Sequence, residues 1–277
     1  MKIPSTLGKV YLVGAGPGAA DLITVRGAKL LEKADIVFHD ALVEPEMLEL
    51  CKQAVKVPVG KRCGKLSSAQ HFINKRLIDA AGQYQIIVRL KGGDPMLFGR
   101  ADEEIQALQG VGIAVEVVPG ITAALAAAAS IGQSLTLRGI SRSVAFVTLA
   151  QATEDTQDVH AVLPMQHPSA DTLVYYMGRK DADKIAQHLI DQNNPHTHTT
   201  PVQIMEAVST PRERLWSSTL GQLAQGKADS WFDSSSPALI LVGQALQSKS
   251  LNLERSSSKI DNGLQNCLLL THGRRRA

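Results

Sequence analysis

The feature that most restricts the fold is an alternation in the first half of the chain. Short, β-branched apolar runs, Lys9–Gly14, Ile36–Asp40, Val55–Val59, Gln85–Leu90 and Ala114–Val118, are separated by stretches of helical composition. Strands that alternate with helices pair in parallel, with the helices covering the sheet. A helix is expected from Leu22 to Lys33 behind an Asp21 cap, and another near Pro45–Gln53. Ser67 and Gln70 have capping-box spacing for a helix ending near Ala81, with Gly82 suited to its C-cap. Further helices are expected over Ala101–Leu108 and after Pro119-Gly120.

The alternation breaks near Gly132–Arg142 and resumes differently. Runs at 144–149, 172–177, 201–207, 214–219 and 237–242 surround one helical stretch, 182–191. Successive strands with no helix between them at 201–219 call for a mixed sheet. A chain of 277 residues is long enough for two domains of ordinary size. We expect an N-terminal α/β domain over residues 1–133, a C-terminal α/β domain over 134–250, and a poorly ordered tail over 251–277, rich in Ser, Asn and Arg. Residues 151–171 and 193–200, polar and broken by prolines, are expected as surface loops.

Composition excludes several classes. Lys and Arg exceed Asp and Glu by three, 29 against 26, and part of that excess is the terminal Arg274–Arg276 run. Aromatic residues make up 4%, too few for the stacking platforms of nucleic-acid binders. The apolar stretch 117–131 is interrupted by Pro119 and Gly120 and falls short of the roughly 20 residues of a membrane span. It is expected as a buried helix, so neither nucleic acid nor membrane is a partner. Cys51, Cys63 and Cys267 are odd in number and lack framework spacing, which fits a reducing cytoplasm. His196-x-His198 lacks a third ligand nearby, so no metal site is expected.

Four stretches carry candidate chemistry. Arg89–Arg100 reads RLKGGDPMLFGR, in which a strand delivers Gly92, Gly93 and Asp94 to the sheet's carboxyl end. Open α/β sheets bind ligands there. Glycines let a ligand approach the backbone, and Asp94 adds a charged acceptor. Gly14-Ala-Gly-Pro-Gly-Ala19 formally matches a dinucleotide fingerprint, with Asp40 near the place of a ribose-binding acid. Against a diphosphate, Pro17 removes an amide donor and Asp21 adds repulsion. Val118–Ala124 turns through Gly120 and places Thr122 at the head of an Ala-rich helix. Leu173–Gly178 is a strand ending in glycine. Taken singly, each is also an ordinary turn, core helix or core strand.

Together, YLVGAGPG, VGKRCG, RLKGGDPMLFGR, VVPGITAA, YYMG and PALILVGQAL resemble, in order, the tetrapyrrole methylase family of S-adenosylmethionine-dependent methyltransferases. The resemblance runs from about Lys9 to Gln247. It implies the two-domain α/β fold of that family, a mostly parallel N-terminal sheet and a mixed C-terminal sheet, with the active site in the cleft between them. It implies S-adenosyl-L-methionine as donor, S-adenosyl-L-homocysteine as product, and a tetrapyrrole, uroporphyrinogen III, as acceptor of two methyl groups. It also implies a homodimer. The cofactor contacts it implies are Pro17, Gly92, Gly93, Asp94, Leu97, Thr122, Ala123, Met177 and Val208. Asp40 matches a general base and Lys61 a general acid.

An acceptor with eight carboxylates needs locally gathered cations. Candidates are Lys61, Arg62, Lys65, Arg100, Arg138, Arg142 and Arg179. The chain departs from the family pattern at His39, Leu137, Ala150 and Val208. Val208 replaces a glycine, and a positive φ would be costly there. Three alternatives stay open: a methylase with another acceptor, a nicotinamide dehydrogenase using Gly14–Ala19, and a non-catalytic tetrapyrrole-binding protein.

Overall fold

The computed structural model describes residues 7–59, 66–148, 168–191 and 195–247. The first five strands, β1 (Lys9–Gly14), β2 (Ile36–His39), β3 (Val55–Pro58), β4 (Ile86–Lys91) and β5 (Val115–Val118), form one sheet in the order β3-β2-β4-β1-β5. Every pairing in it is parallel. Helices α1 (Val25–Lys33) and α2 (Pro45–Leu48) cover one face, burying Leu31 and Met47 against Val13, Val37, Val88 and Leu90. On the other face, α3 (Leu66–Ala81) and α4 (Ala101–Gln109) bury Ile73, Leu77 and Leu108 against Leu12, Phe38 and Ile87.

Helix boundaries are where the sequence reading needs correction. Asp21 does not cap α1 but lies in a short 3-10 turn, Ala20–Leu22. The cap is Thr24, whose hydroxyl accepts the Gly27 amide at 3.1 Å. Ser67 is no cap either, because α3 already runs at Leu66. The helix expected near Pro45–Gln53 closes at Leu48 and continues as tight turns.

Beyond the first sheet come α5 (Ala123–Ser130) and then a second sheet. Its strands are β6 (Val144–Thr148), β7 (Thr172–Tyr176), β8 (Pro201–Glu206), β9 (Arg214–Thr219) and β10 (Ala238–Gly243), in the order β6-β7-β10-β8-β9. Only β6 and β7 pair in parallel, so this sheet is mixed. Helices α6 (Ala182–Asp191) and α7 (Leu220–Ala224) cover one face through Ile185, Leu189 and Leu223. The alanines of α5 cover the other, against Val174, Met205, Leu239 and Leu241. Its small side chains let the helix sit close to the sheet. Among the described residues, no helix is long and apolar enough to cross a membrane.

The loop expected at 193–200 is not wholly at the surface. His196 is 3% exposed, and its Nε2–H donates to the Ala170 carbonyl at 2.9 Å. Burial pushes this imidazole below its ordinary range, against the smaller opposing pull of Ala170 and Asp171. The unfolded chain therefore takes up this proton first as pH falls. The stability involved is whole above the free-histidine pKa, about 6.5, and is lost as pH drops through the lower folded value. The melting temperature of a His196→Gln variant, followed from about pH 7.5 down to about pH 5, is expected to fall less steeply than that of the parent.

Candidate functional site

Three loops meet at the carboxyl ends of β1, β4 and β5. The Gly93 amide donates to the Gly16 carbonyl at 2.7 Å, and the Gly16 amide to the Gly93 carbonyl at 3.2 Å. A side chain at Gly120 would lie 2.3 Å from the Gly93 carbonyl oxygen, and one at Gly14 would lie 2.5 Å from the Gly120 Cα. Both obstacles are backbone, so only glycine fits at 14 and 120. Asp94 fastens the arrangement: Oδ2 accepts the Gly120 amide at 2.9 Å and Oδ1 accepts the Met96 amide at 2.8 Å. The sequence reading gave Asp94 as an acceptor for a ligand. In the fold both of its oxygens already take backbone amides, and the carboxylate works first as a tie between loops. Gly92 differs from its neighbours. It is exposed, and a Cβ there would meet nothing closer than Leu42 at 3.6 Å. The open backbone beside Gly92 is therefore free for a ligand to lie along.

The second sheet adds the opposite wall. Tyr176, at the end of β7, places its hydroxyl 2.6 Å from the Thr122 hydroxyl and accepts the Ala124 amide at 3.2 Å. This cross-connection caps α5 from outside, where Thr122 makes no cap bond of its own. Phe98 from the β4 loop packs edge-on against Tyr176, with ring centroids 5.2 Å apart. Met177 follows in a left-handed conformation, φ 57°, with its side chain exposed. Leu42, Met96 and Phe98 are likewise exposed apolar side chains on the first sheet's loops. Leu97 and Pro17 are half-buried.

The loop after β8 reaches the GAGPG turn. The Ala19 amide donates to the Ser209 hydroxyl at 3.1 Å, and a Cβ on Gly18 would come within 2.8 Å of the Val208 carbonyl oxygen. The feared strain at Val208 does not arise. The left-handed residues are its neighbours, Ala207 (φ 47°) and Ser209 (φ 59°), while Val208 points into the α5 core. The Ser209 amide is held by Glu213 at 2.5 Å. Arg212 also reaches Glu44 at 3.3 Å, a further bond between the two halves.

Asp40 stands at the end of β2, with its side chain 30% exposed. Its Oδ1 accepts from Arg89 Nη2 at 2.6 Å. Arg89 is buried, and its Nε donates to Glu104 Oε1 at 3.1 Å and its Nη1 to the Leu90 carbonyl at 3.1 Å. Lys91 Nζ also reaches Glu104 Oε1, at 3.1 Å, as does Gln70 Nε2 at 3.2 Å. Burial and the charge of Arg89 push the Lys91 ammonium below its usual range. For Arg89 burial works downward too, but Asp40 and Glu104 outweigh it and hold the guanidinium above its ordinary value. The sequence did carry a signal for this cluster. Arg89 and Lys91 are two apart in a central strand, so both charges face the α3–α4 side, where apolar residues are the rule.

Of the predicted cations, Arg100 and Arg179 have protein partners among the described residues. Lys61, Arg62 and Lys65 lie outside the described residues, as do Cys63, Ala150 and the 251–277 segment. Arg100 forks onto Glu103 of its own helix, at 2.6 and 2.7 Å. Arg179 is spent on the backbone carbonyls of Asp233 and Ser236, at 2.5 and 2.9 Å. Arg138 and Arg142 are exposed on the segment between α5 and β6, where a Leu137–Ser141 bridge closes a turn at Gly139. Among the described residues, no group of three or more His, Cys, Asp or Glu could hold a metal ion.

Comparison with known proteins follows the same outline. The family of tetrapyrrole (corrin/porphyrin) methylases matches residues 9–224. The siroheme synthase of Psychrobacter sp. (strain PRwf-1) is 42% identical over 243 residues, 87% of this chain and 48% of that protein. The chain thus spans about half the length of the curated relatives it matches. Among solved structures, the uroporphyrin-III C-methyl transferase of Thermus thermophilus, complexed with S-adenyl homocysteine, superposes with a TM-score of 0.70 at 36% identity. That match covers 86% of this chain and 99% of the other. A cobalt precorrin-4 methyltransferase of cobalamin biosynthesis superposes with a TM-score of 0.69 at 26% identity, covering 87% of this chain and 96% of the other.

Proposed function

Because this chain belongs to the tetrapyrrole (corrin/porphyrin) methylase family, we propose that it is a uroporphyrinogen-III C-methyltransferase. It moves methyl groups from S-adenosylmethionine to two ring carbons of uroporphyrinogen III and yields precorrin-2. The observation that carries this reading is the three-loop juncture, with open backbone at Gly92 on one side and Thr122 and Met177 on the other. A sulfonium donor is cationic. Carbonyl edges and apolar side chains suit it better than a phosphate loop does, and Pro17 withholds an amide a diphosphate would need. The likeness to the Thermus thermophilus enzyme supports the acceptor, and the likeness to siroheme synthases supports the product's use in siroheme formation.

When bound, S-adenosylmethionine supplies an activated methyl group and leaves as S-adenosylhomocysteine. Gly92, Gly93, Leu97, Thr122, Ala123, Met177, Pro17 and the Val208 backbone would hold it. The protein's main contribution is alignment, which in well-oriented pairs recovers roughly 7–11 kcal/mol of the barrier. Asp40 stands at the end of β2, the strand beside β4, and takes the proton lost as the ring carbon gains its methyl. Lys61 lends a proton where the macrocycle's electrons rearrange and recovers it as the product forms, so each methyl gained is matched by the one proton that Asp40 takes. Arg62, Arg100, Arg138 and Arg142 meet the acceptor's carboxylates, with Arg100 exchanging Glu103 for the ligand. The exposed Met96 and Phe98 offer an apolar surface to the flat ring system. The enzyme works in the cytoplasm as a homodimer.

The test is turnover of uroporphyrinogen III with methyl-labelled donor. Two labels per acceptor and a precorrin-2 spectrum are expected. Tight S-adenosylhomocysteine binding alongside absent NAD binding disposes of the dehydrogenase. Label entering another tetrapyrrole but not uroporphyrinogen III sinks the acceptor assignment and leaves the methylase reading standing.

A further inference from the structure

We infer that Arg89, gripped from behind by Glu104, is a positioning residue that fixes the Asp40 carboxylate for proton removal; this rests on the reading of Asp40 as base. Arg89 is 3% exposed and Glu104 wholly buried. A buried cation on a central strand paired with a buried anion on the covering helix α4 stabilises a fold poorly, since well-packed apolar residues of similar size serve at least as well. The geometry shows what the charges do instead. One guanidinium edge reaches Asp40 Oδ1, and Nε is anchored by Glu104 Oε1. A third donor is held by the Leu90 carbonyl, so the planar fork has no freedom to turn.

The consequence falls on Asp40. With Oδ1 committed to Arg89, Oδ2 is left without a partner among the described residues, and the side chain is part-exposed at the strand end. An exposed aspartate would otherwise sample its rotamers freely. Glu104 also holds Lys91, whose chain passes under the β4 loop: a Cβ on Gly99 would lie 3.2 Å from Lys91 Cε. One buried carboxylate thereby ties the base's anchor to the floor of the donor loop.

The test is a double-substitution cycle on the whole chain, reading kcat and KM for uroporphyrinogen III and S-adenosylhomocysteine affinity by calorimetry. Arg89→Gln is expected to lower kcat about tenfold to a hundredfold, with affinity held within about threefold. Combined with Asp40→Asn, it should slow the reaction no further than Asp40→Asn alone, because a positioning residue has nothing left to position. If the two losses multiply instead, Arg89 acts by another route and the inference fails. If Arg89→Gln runs at the parent rate while Asp40→Asn is slow, the inference alone is overturned. An undiminished rate in Asp40→Asn removes the base assignment beneath it, and the inference with it. Should Arg89→Gln not fold, the charge-balanced pair Arg89→Gln/Glu104→Gln carries the same cycle, with the same outcomes deciding.

Discussion

Asp40→Asn is expected to lower methyl turnover by about 10²–10⁴-fold, the usual range for losing a general base. Affinity for S-adenosylhomocysteine should barely change. The asparagine keeps the shape and can still accept from Arg89 through its carbonyl, so the strand end stays in place. What it lacks is a basic oxygen. Asp40 makes no bond to the GAGPG, GGDP or Val118–Thr122 loops, which hold the donor in our reading; its side-chain partner is Arg89. A split between lost turnover and kept affinity is therefore the signature to look for. Single-turnover rates with preloaded donor, beside calorimetric titration, separate the two. A parent-like rate takes Asp40 out of the mechanism.

Gly120→Ala should have the opposite signature. Its new methyl would sit 2.3 Å from the Gly93 oxygen and 2.8 Å from the Gly14 Cα, and neither is the end of a flexible side chain. The juncture has to open, and the Asp94–Gly120 bond with it. Overpacking of this kind costs about 1–3 kcal/mol of stability. The larger loss is in binding. S-adenosylhomocysteine affinity is expected to drop by at least about a hundredfold, because loops displaced by an ångström no longer match the ligand. Gly92→Ala is the comparison, since its methyl meets only Leu42 at 3.6 Å and leaves the fold unstrained. A melting temperature near the parent's with weakened affinity at Gly92 marks direct contact with the ligand. Parent-like affinity in Gly120→Ala would show that the juncture does not form the donor site.

How much of this could be read from the sequence depended on the reach of each interaction. The strands, and the glycine loops after them, are local patterns, and they appear in the fold where the runs predicted them. Both sheet types followed as well, because the presence or absence of a helix between strands is visible in the chain. Cap residues are not settled by the sequence, since Asp21 and Thr24 are both good caps, and in the fold it is Thr24 that accepts the Gly27 amide. Long-range pairings were invisible. Nothing local announces that Asp94 holds Gly120, that Tyr176 reaches Thr122, or that Arg179 is occupied by the Asp233–Ser236 turn. The Arg89–Lys91 pair is legible in principle, but the apolar run Gln85–Leu90 takes in Arg89 alone and leaves Lys91 to the loop stretch.

The placement of β10 has its own consequence. The final strand of the second sheet is inserted between β7 and β8, with antiparallel partners on either side. While the polypeptide emerges from a ribosome, the first sheet can close early, but the second has a gap at its centre until Gly243 is out. Tyr176, which reaches Thr122, and Met177 after it sit beside that gap, at the end of β7. Synthesis order and assembly order therefore differ, and a nascent chain stalled before Ala238 would carry half of the proposed donor site on a finished platform and the other half on an unbuilt one.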